Sequence, residues 1–258
     1  MISKSKLSRL ENAQATPLPR DMRDLVRYYG VEGKTEGNKL QRLARDARRQ
    51  VWWTDFDVLA ADPGGLDAHV AYESDATLER TYTLPFLPAL LQTMDYAKAV
   101  FRDMEGRSED EINQLVEVRM KRQEALRHRE ELPPLQLVAV THESTLRQFV
   151  GSPAIMRAQL DVLAEPLEEL PDVHVRVFPF SARPVFSMTC MYAYFEYQDP
   201  SLEQDVVHIE THAGFRTIDD PVRVAKYRAA HEKLVAASLG EEDSRALIRS
   251  TRDELYGA

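Results

Sequence analysis

What most constrains this chain is where its strand-forming runs fall. "TLERTYTL" (77–84) stands alone in the first half of the chain. The other five runs, "LQLVAV", "HVRVFPF", "SMTCMYAYFEY", "DVVHIET" and "GFRTID", all follow Pro133 and Pro134. Helical periodicity brackets them on both sides. Strands grouped in this way, with helices before and after, predict an α+β fold with a small, largely antiparallel sheet.

The first 50 residues read as three short helices without a complete core of their own. Ser3 is an N-cap for a helix over Lys4–Asn12, with Leu7 and Leu10 inward at i, i+3. "AQATPLPR" is a turn, and Pro19 stands just ahead of the next helix. In "DMRDLVRYYG", Met22, Leu25, Val26 and Tyr29 share a face and Gly30 supplies the stop. A third helix is expected from Glu36 to Gln50, with Leu40, Leu43 and Ala47 on one side. The division is therefore 1–50, partial and all-α, followed by an α+β domain over 51–258.

Beyond residue 50, "LDAHVAYESDA" reads as helix. "LPALLQTMDYAKAVF" reads as a longer one from Pro88, with Leu90, Met94, Ala97 and Phe101 in phase. "SEDEINQLVEVRMKRQEALR" opens on a Ser-x-x-Glu capping box and ends basic, as the helix dipole prefers. "SPAIMRAQLDVLAEPLEEL" places Met156, Leu160, Leu163, Leu167 and Leu170 on one stripe, which Pro166 should bend or interrupt. "DPVRVAKYRAAHEKLVAASL" and "EEDSRALIRSTRDEL" close the chain as helices.

Charge is divided unevenly. The net charge of −9 combines a head of twelve Lys/Arg against six Asp/Glu with a body carrying −15. A basic head on an acidic body directs any polyanion contact to the head. No apolar run approaches the ~18 residues of a membrane span. Cys190 is the only cysteine, which excludes an intramolecular disulfide and fits a reducing cytoplasm.

Catalytic signatures are missing. No Gly-x-Ser-x-Gly, phosphate-cradling glycine loop or Gly-x-Gly-x-x-Gly occurs. No catalytic residue, metal ligand or cofactor is assigned, and the chain is not read as an enzyme. "HIETH" puts His208, Glu210 and His212 at alternate positions, sharing a face if the segment is a strand. The plainer reading is a polar strand face. Cys190, in an apolar strand, reads as a small core residue, and His231 as a packing histidine beside Val224, Tyr227 and Leu234. Tyr192, Tyr194 and Tyr197 read as sheet-core aromatics.

The opening "SKSKLSRLEN" is different. A recognition helix needs short polar or basic side chains on its first turns, where base edges are met, and apolar residues behind them. Lys4, Ser5, Ser8 and Arg9 fit the outward set, and Leu7 and Leu10 the inward one. Arg9 suits a guanine edge or a phosphate, and Lys4 and Lys6 suit phosphates.

These residues resemble the recognition helix and following turn of Cro/CI-type (XRE) helix-turn-helix regulators. Their pattern is Ser-x-x-x-hydrophobic-Ser-x-hydrophobic-Glu-x-Gly with a later Pro. Glu11 matches its acid, and Ala13 replaces its Gly. "RRQVWWTDF", "TYTLPFLPALLQTMDYAKAVF", "GSPAIMRAQLDVL" and "DPVRVAKYRAAHEKLVAASLGEEDSRALI" resemble the domain of unknown function fused behind such modules in high-GC Gram-positive bacteria. The resemblance implies a transcriptional regulator, antitoxin-like. It would bind operator DNA through residues 1–50, as a possible homodimer, and a small partner protein or a signal through 51–258. The module of such regulators has two more helices ahead of Ser3, roughly twenty residues or more. This chain is accordingly expected to bind operator weakly or not at all, and a version extended upstream to bind well. The alternative is a protein-interaction module that has lost DNA binding.

Overall fold

The computed structural model describes residues 2–12, 17–46, 51–60, 65–104, 106–130, 132–165, 167, 169–185, 189–198, 204–211 and 214–257. The chain forms two compact units, Met1–Thr54 and Asp55–Ala258.

The first unit holds α1 (Lys4–Glu11), α2 (Pro19–Tyr28) and α3 (Thr35–Asp46). Ser3 caps α1, its hydroxyl accepting from the Lys6 N–H at 3.3 Å. Asp21 accepts from the Leu18 N–H at 3.1 Å and closes the entry of α2, where Pro19 needs no donor. Among the described residues of this unit, Met22, Val26 and Ala44 are the buried apolar ones. Gly37 makes the close approach of α3 to the exit of α2 possible, since a Cβ there would lie 2.1 Å from the Val31 carbonyl oxygen. Two inward expectations fail. Tyr29 caps α2 from outside the helix and is exposed, and Leu40 on α3 is also exposed. Ala13, Ala47 and the rest of the expected third helix to Gln50 lie outside the described residues.

The second unit runs α4 (Asp57–Ala60), α5 (Leu66–Asp75), β1 (Leu78–Thr83), α6 (Met94–Arg102), α7 (Glu109–Gln123), β2 (Gln136–His142), α8 (Glu143–Arg147), α9 (Pro153–Ala164), β3 (Val173–Phe178), β4 (Tyr192–Glu196), β5 (Val206–Thr211), β6 (Gly214–Ile218), α10 (Pro221–Ala237) and α11 (Glu241–Tyr256). Every expected strand is present, and the fold is α+β.

The sheet has six strands in the order β3-β2-β1-β4-β5-β6. β1, β4, β5 and β6 pair antiparallel, while β1–β2 and β2–β3 are parallel. The parallel half follows from the intervening helices: α6 and α7 carry the chain from β1 to β2, and α8 and α9 from β2 to β3.

Alternation sorts the strands onto two faces. Leu137, Ala139, Val173, Val177, Ala193, Phe195 and Val206 join Tyr96, Leu160, Leu163 and Ile248 in the larger core. Tyr82, Val140, Phe178, Tyr192, Tyr194 and Val207 pack with Val224 and Leu234 of α10 on the opposite face. Among the described residues no helix is long and apolar enough to cross a membrane.

The helix expected from Pro88 begins later. Ala89–Leu91 forms one 3-10 turn, and the Thr93 hydroxyl accepts from the Tyr96 N–H at 3.3 Å to start α6 at Met94. Met94 is exposed as a result, while Leu90 and Leu91 are both buried. A tertiary contact fixes this break, since Gln159 of α9 accepts from the Thr93 N–H at 2.6 Å. The capping box of α7 forms as read, Ser108 and Glu111 bonding reciprocally. α9 ends at Ala164, and Pro166 lies outside the described residues.

Candidate functional site

In the first unit, α1 presents Lys4, Ser5, Ser8 and Arg9 as exposed residues, while Leu7 and Leu10 are half-buried. Lys6 differs from the other four. Its ammonium lies 2.6 Å from Asp21 of α2, and this partner holds the Asp21 carboxyl below the usual carboxylate range. Ser8 is engaged locally, its carbonyl and hydroxyl both accepting from the Asn12 side chain.

The second unit encloses a cavity of about 540 Å³ on the larger-core face of the sheet. Glu79, Thr81 and Thr83 reach that face from alternate positions of β1. Thr81 is in register with Ala193 of β4, and Ala193 with His208 of β5. Glu210, two residues on, pairs with Phe215 of β6 and lines the cavity too. Helix α7 contributes Leu115, Arg119 and Arg122, and α5 contributes His69.

A buried ion pair stands at the floor. Arg122 is bidentate to Glu73, at 2.9 Å from Nε and 2.6 Å from Nη2, with both side chains almost fully buried. Burial alone would lower the Arg122 pKa, but the Glu73 carboxylate outweighs it and the net shift is upward. Arg122 Nη2 also lies 3.0 Å from His69 Nε2, and His69 Nδ1 lies 3.0 Å from His208 Nδ1. Burial and then the Arg122 charge push His69 well below its ordinary value, and burial takes His208 to about 4.

Four residues lining the cavity carry a buried polar atom with no hydrogen-bond partner among the described residues: Glu79 Oε2, Thr83 Oγ1, Arg119 Nε and the hydroxyl of Tyr82, whose ring packs on the opposite face of the sheet. Burial and the neighbouring Glu73 charge raise Glu79 to about 8. Arg119 donates to Gln92 Oε1 at 2.5 Å, and its guanidinium sits 4.7 Å from the Phe101 ring centre. Burial, then the Arg122 charge, lower it to about 9. Native interiors seldom leave such groups unpaired.

The sequence reading missed these residues, yet a signal was there. Ile112, Leu115, Arg119 and Arg122 follow the 3-4-3 spacing of one helix face, so two arginines continue an apolar stripe. His69 and Glu73 stand at i, i+4 on α5.

The other candidates resolve differently. His208 and Glu210 do share a strand face, and His212 lies outside the described residues. Among the described residues no group of three or more His, Cys, Asp or Glu side chains is placed to hold a metal ion. Cys190, expected inside a strand, is half-buried in the segment before β4, which begins only at Tyr192. His231 is buried against the Tyr192 hydroxyl at 3.0 Å, as a packing histidine.

No curated protein and no solved structure matches the chain. One family model does, over residues 66–250, described as "Domain of unknown function (DUF5753)". That stretch is well over half of the chain and carries all six strands and the polar groups of the cavity. The chain therefore belongs to the family of the domain of unknown function DUF5753.

Proposed function

We propose that this protein is a DNA-binding transcriptional regulator, antitoxin-like, whose first unit meets DNA and whose second unit receives a signal. The observation that carries the reading is the division of α1: Lys4, Ser5, Ser8 and Arg9 exposed, Leu7 and Leu10 half-buried, on a helix capped by Ser3. Exposed short polar and basic side chains on the first turns of a helix are what base edges and phosphates require. The cavity supports a small-molecule signal for the second unit, since its unpaired polar atoms call for a guest.

The second reading is a protein-interaction module without DNA binding. In its favour, Lys6 is tied to Asp21, and Tyr28 and Tyr29 are exposed in the same unit. Selection from a randomised duplex pool, followed by anisotropy titration across salt concentrations, separates the two. The regulator reading expects an enriched motif whose log affinity falls linearly with log salt. Equal affinity for selected and unrelated duplexes overturns it in favour of the module.

A further inference from the structure

We infer that the cavity of the second unit receives a small organic anion, a carboxylate on an apolar body, with its charged group against Arg119 and Thr83. This rests on the reading of that unit as the receiving part of the molecule.

The charges around the cavity point that way. The charge of Arg122 is matched by Glu73 in a bidentate pair. Among the described residues Arg119 has no such pair: its hydrogen bond goes to the neutral Gln92 amide, its Nε proton meets no acceptor, and the Glu210 carboxylate acts on it as a neighbouring charge without a bidentate bond. A guanidinium is always a donor and binds carboxylates best. Thr83 Oγ1, on a residue more than nine-tenths buried, supplies a hydroxyl on the same side of the sheet.

Glu79 argues against a cationic guest. It is buried beside Glu73, whose charge is already committed to Arg122, and it keeps its proton up to about pH 8. At neutral pH it is therefore a neutral acid, its side chain hydrogen-bonded to Glu73, and adds no negative charge. Glu210 is the other carboxylate lining the cavity. The rest of the wall favours an apolar body, with Phe86, Leu87, Val100, Phe101, Leu115 and Phe215 around it. A volume of about 540 Å³ is ample for a compact ligand of this kind.

The test uses the full chain and matched triplets: phenylacetate, phenylacetamide and phenethylamine; octanoate, octanamide and octylamine. Thermal shift and calorimetry read binding. Each carboxylate is expected to bind at least about tenfold more tightly than its amide, the worth of a charge-assisted hydrogen bond. Arg119→Gln should erase that preference and leave amide binding in place. Thr83→Val, which keeps shape, should weaken carboxylates severalfold and serves should Arg119→Gln fail to fold. Amides or amines bound in preference to carboxylates overturn the anion assignment while leaving the second unit a receiver. So does carboxylate binding unchanged in folded Arg119→Gln. Binding of no compound of any charge overturns the receiving role itself, and the assignment with it.

Discussion

His69 Nδ1 and His208 Nδ1 stand 3.0 Å apart, joining helix α5 to strand β5 beneath the cavity. Arg122 fixes the direction of this bond. Its guanidinium can only donate, so His69 Nε2 accepts and His69 Nδ1 carries the proton toward His208. The proton of His208 then sits on Nε2. Both rings are neutral, in keeping with the downward shifts of their pKa values.

Acid should therefore weaken the fold through these rings. His208 titrates at about 4 when folded and at 6.5 when unfolded, so between those values the unfolded chain holds more protons. Its contribution is complete above pH 6.5 and is lost as pH falls toward 4. The loss reaches ~1.4 kcal/mol per pH unit for each such histidine at its steepest. His231, also near 4, adds to it. Urea unfolding from pH 7 to 4 should show the slope, and His208→Gln should flatten it.

Glu79 acts in the opposite direction. Its folded pKa is raised from 4.5 to about 8, so its favourable contribution is present below 4.5 and is lost as pH climbs to 8. Glu79→Gln keeps the shape and removes the acid. It should stabilise the protein relative to wild type at pH 8, by ~1–3 kcal/mol for a buried group freed of ionisation cost. The gain should shrink toward pH 5.

The ion pair below the cavity should show strong coupling. Arg122→Met leaves the Glu73 carboxylate buried and unpaired, at a cost of ~3–5 kcal/mol. Adding Glu73→Leu should recover most of that loss. A double-mutant cycle by chemical denaturation measures the interaction directly. Simple additivity of the two substitutions would contradict the pairing.

Gly151 precedes α9 with φ +69°, and a Cβ there would lie 2.9 Å from both Ala99 and Ile155. Gly151→Ala should destabilise by ~1–3 kcal/mol, through left-handed strain together with the contact. A drop in melting temperature with unchanged far-ultraviolet circular dichroism would report it.

On α1, Arg9→Ala and Lys6→Ala should behave differently if the first unit binds DNA as proposed. Removing a phosphate contact lowers the salt slope by about 1. Arg9→Ala is expected to do so. Lys6→Ala should chiefly destabilise the first unit, because its ammonium is held by Asp21. An equal slope for wild type and Arg9→Ala would remove Arg9 from the contact set.

The elements were largely legible in the sequence because their causes are local. Runs of strand-forming residues marked all six strands, and the Ser108/Glu111 box marked the start of α7. Where a distant partner intervenes, the reading failed. Gln159 reaches across from α9 to the Thr93 amide, and α6 begins at Met94, not Pro88. Lys6 looked like one more outward cation until α2 brought Asp21 to it.

The candidate site shows the same boundary more sharply. Period and composition by themselves determined that this chain is α+β, with a capped basic helix near its start and five of its six strands after Pro134. Only the tertiary structure decided that Glu79, Thr83 and Arg119 face one cavity, and that Arg122, Glu73, His69 and His208 form one bonded chain beneath it. The reason is physical. Backbone preference acts over a few residues and is written in each segment, whereas an unpaired or matched charge exists only once the sheet and helices have excluded water around it.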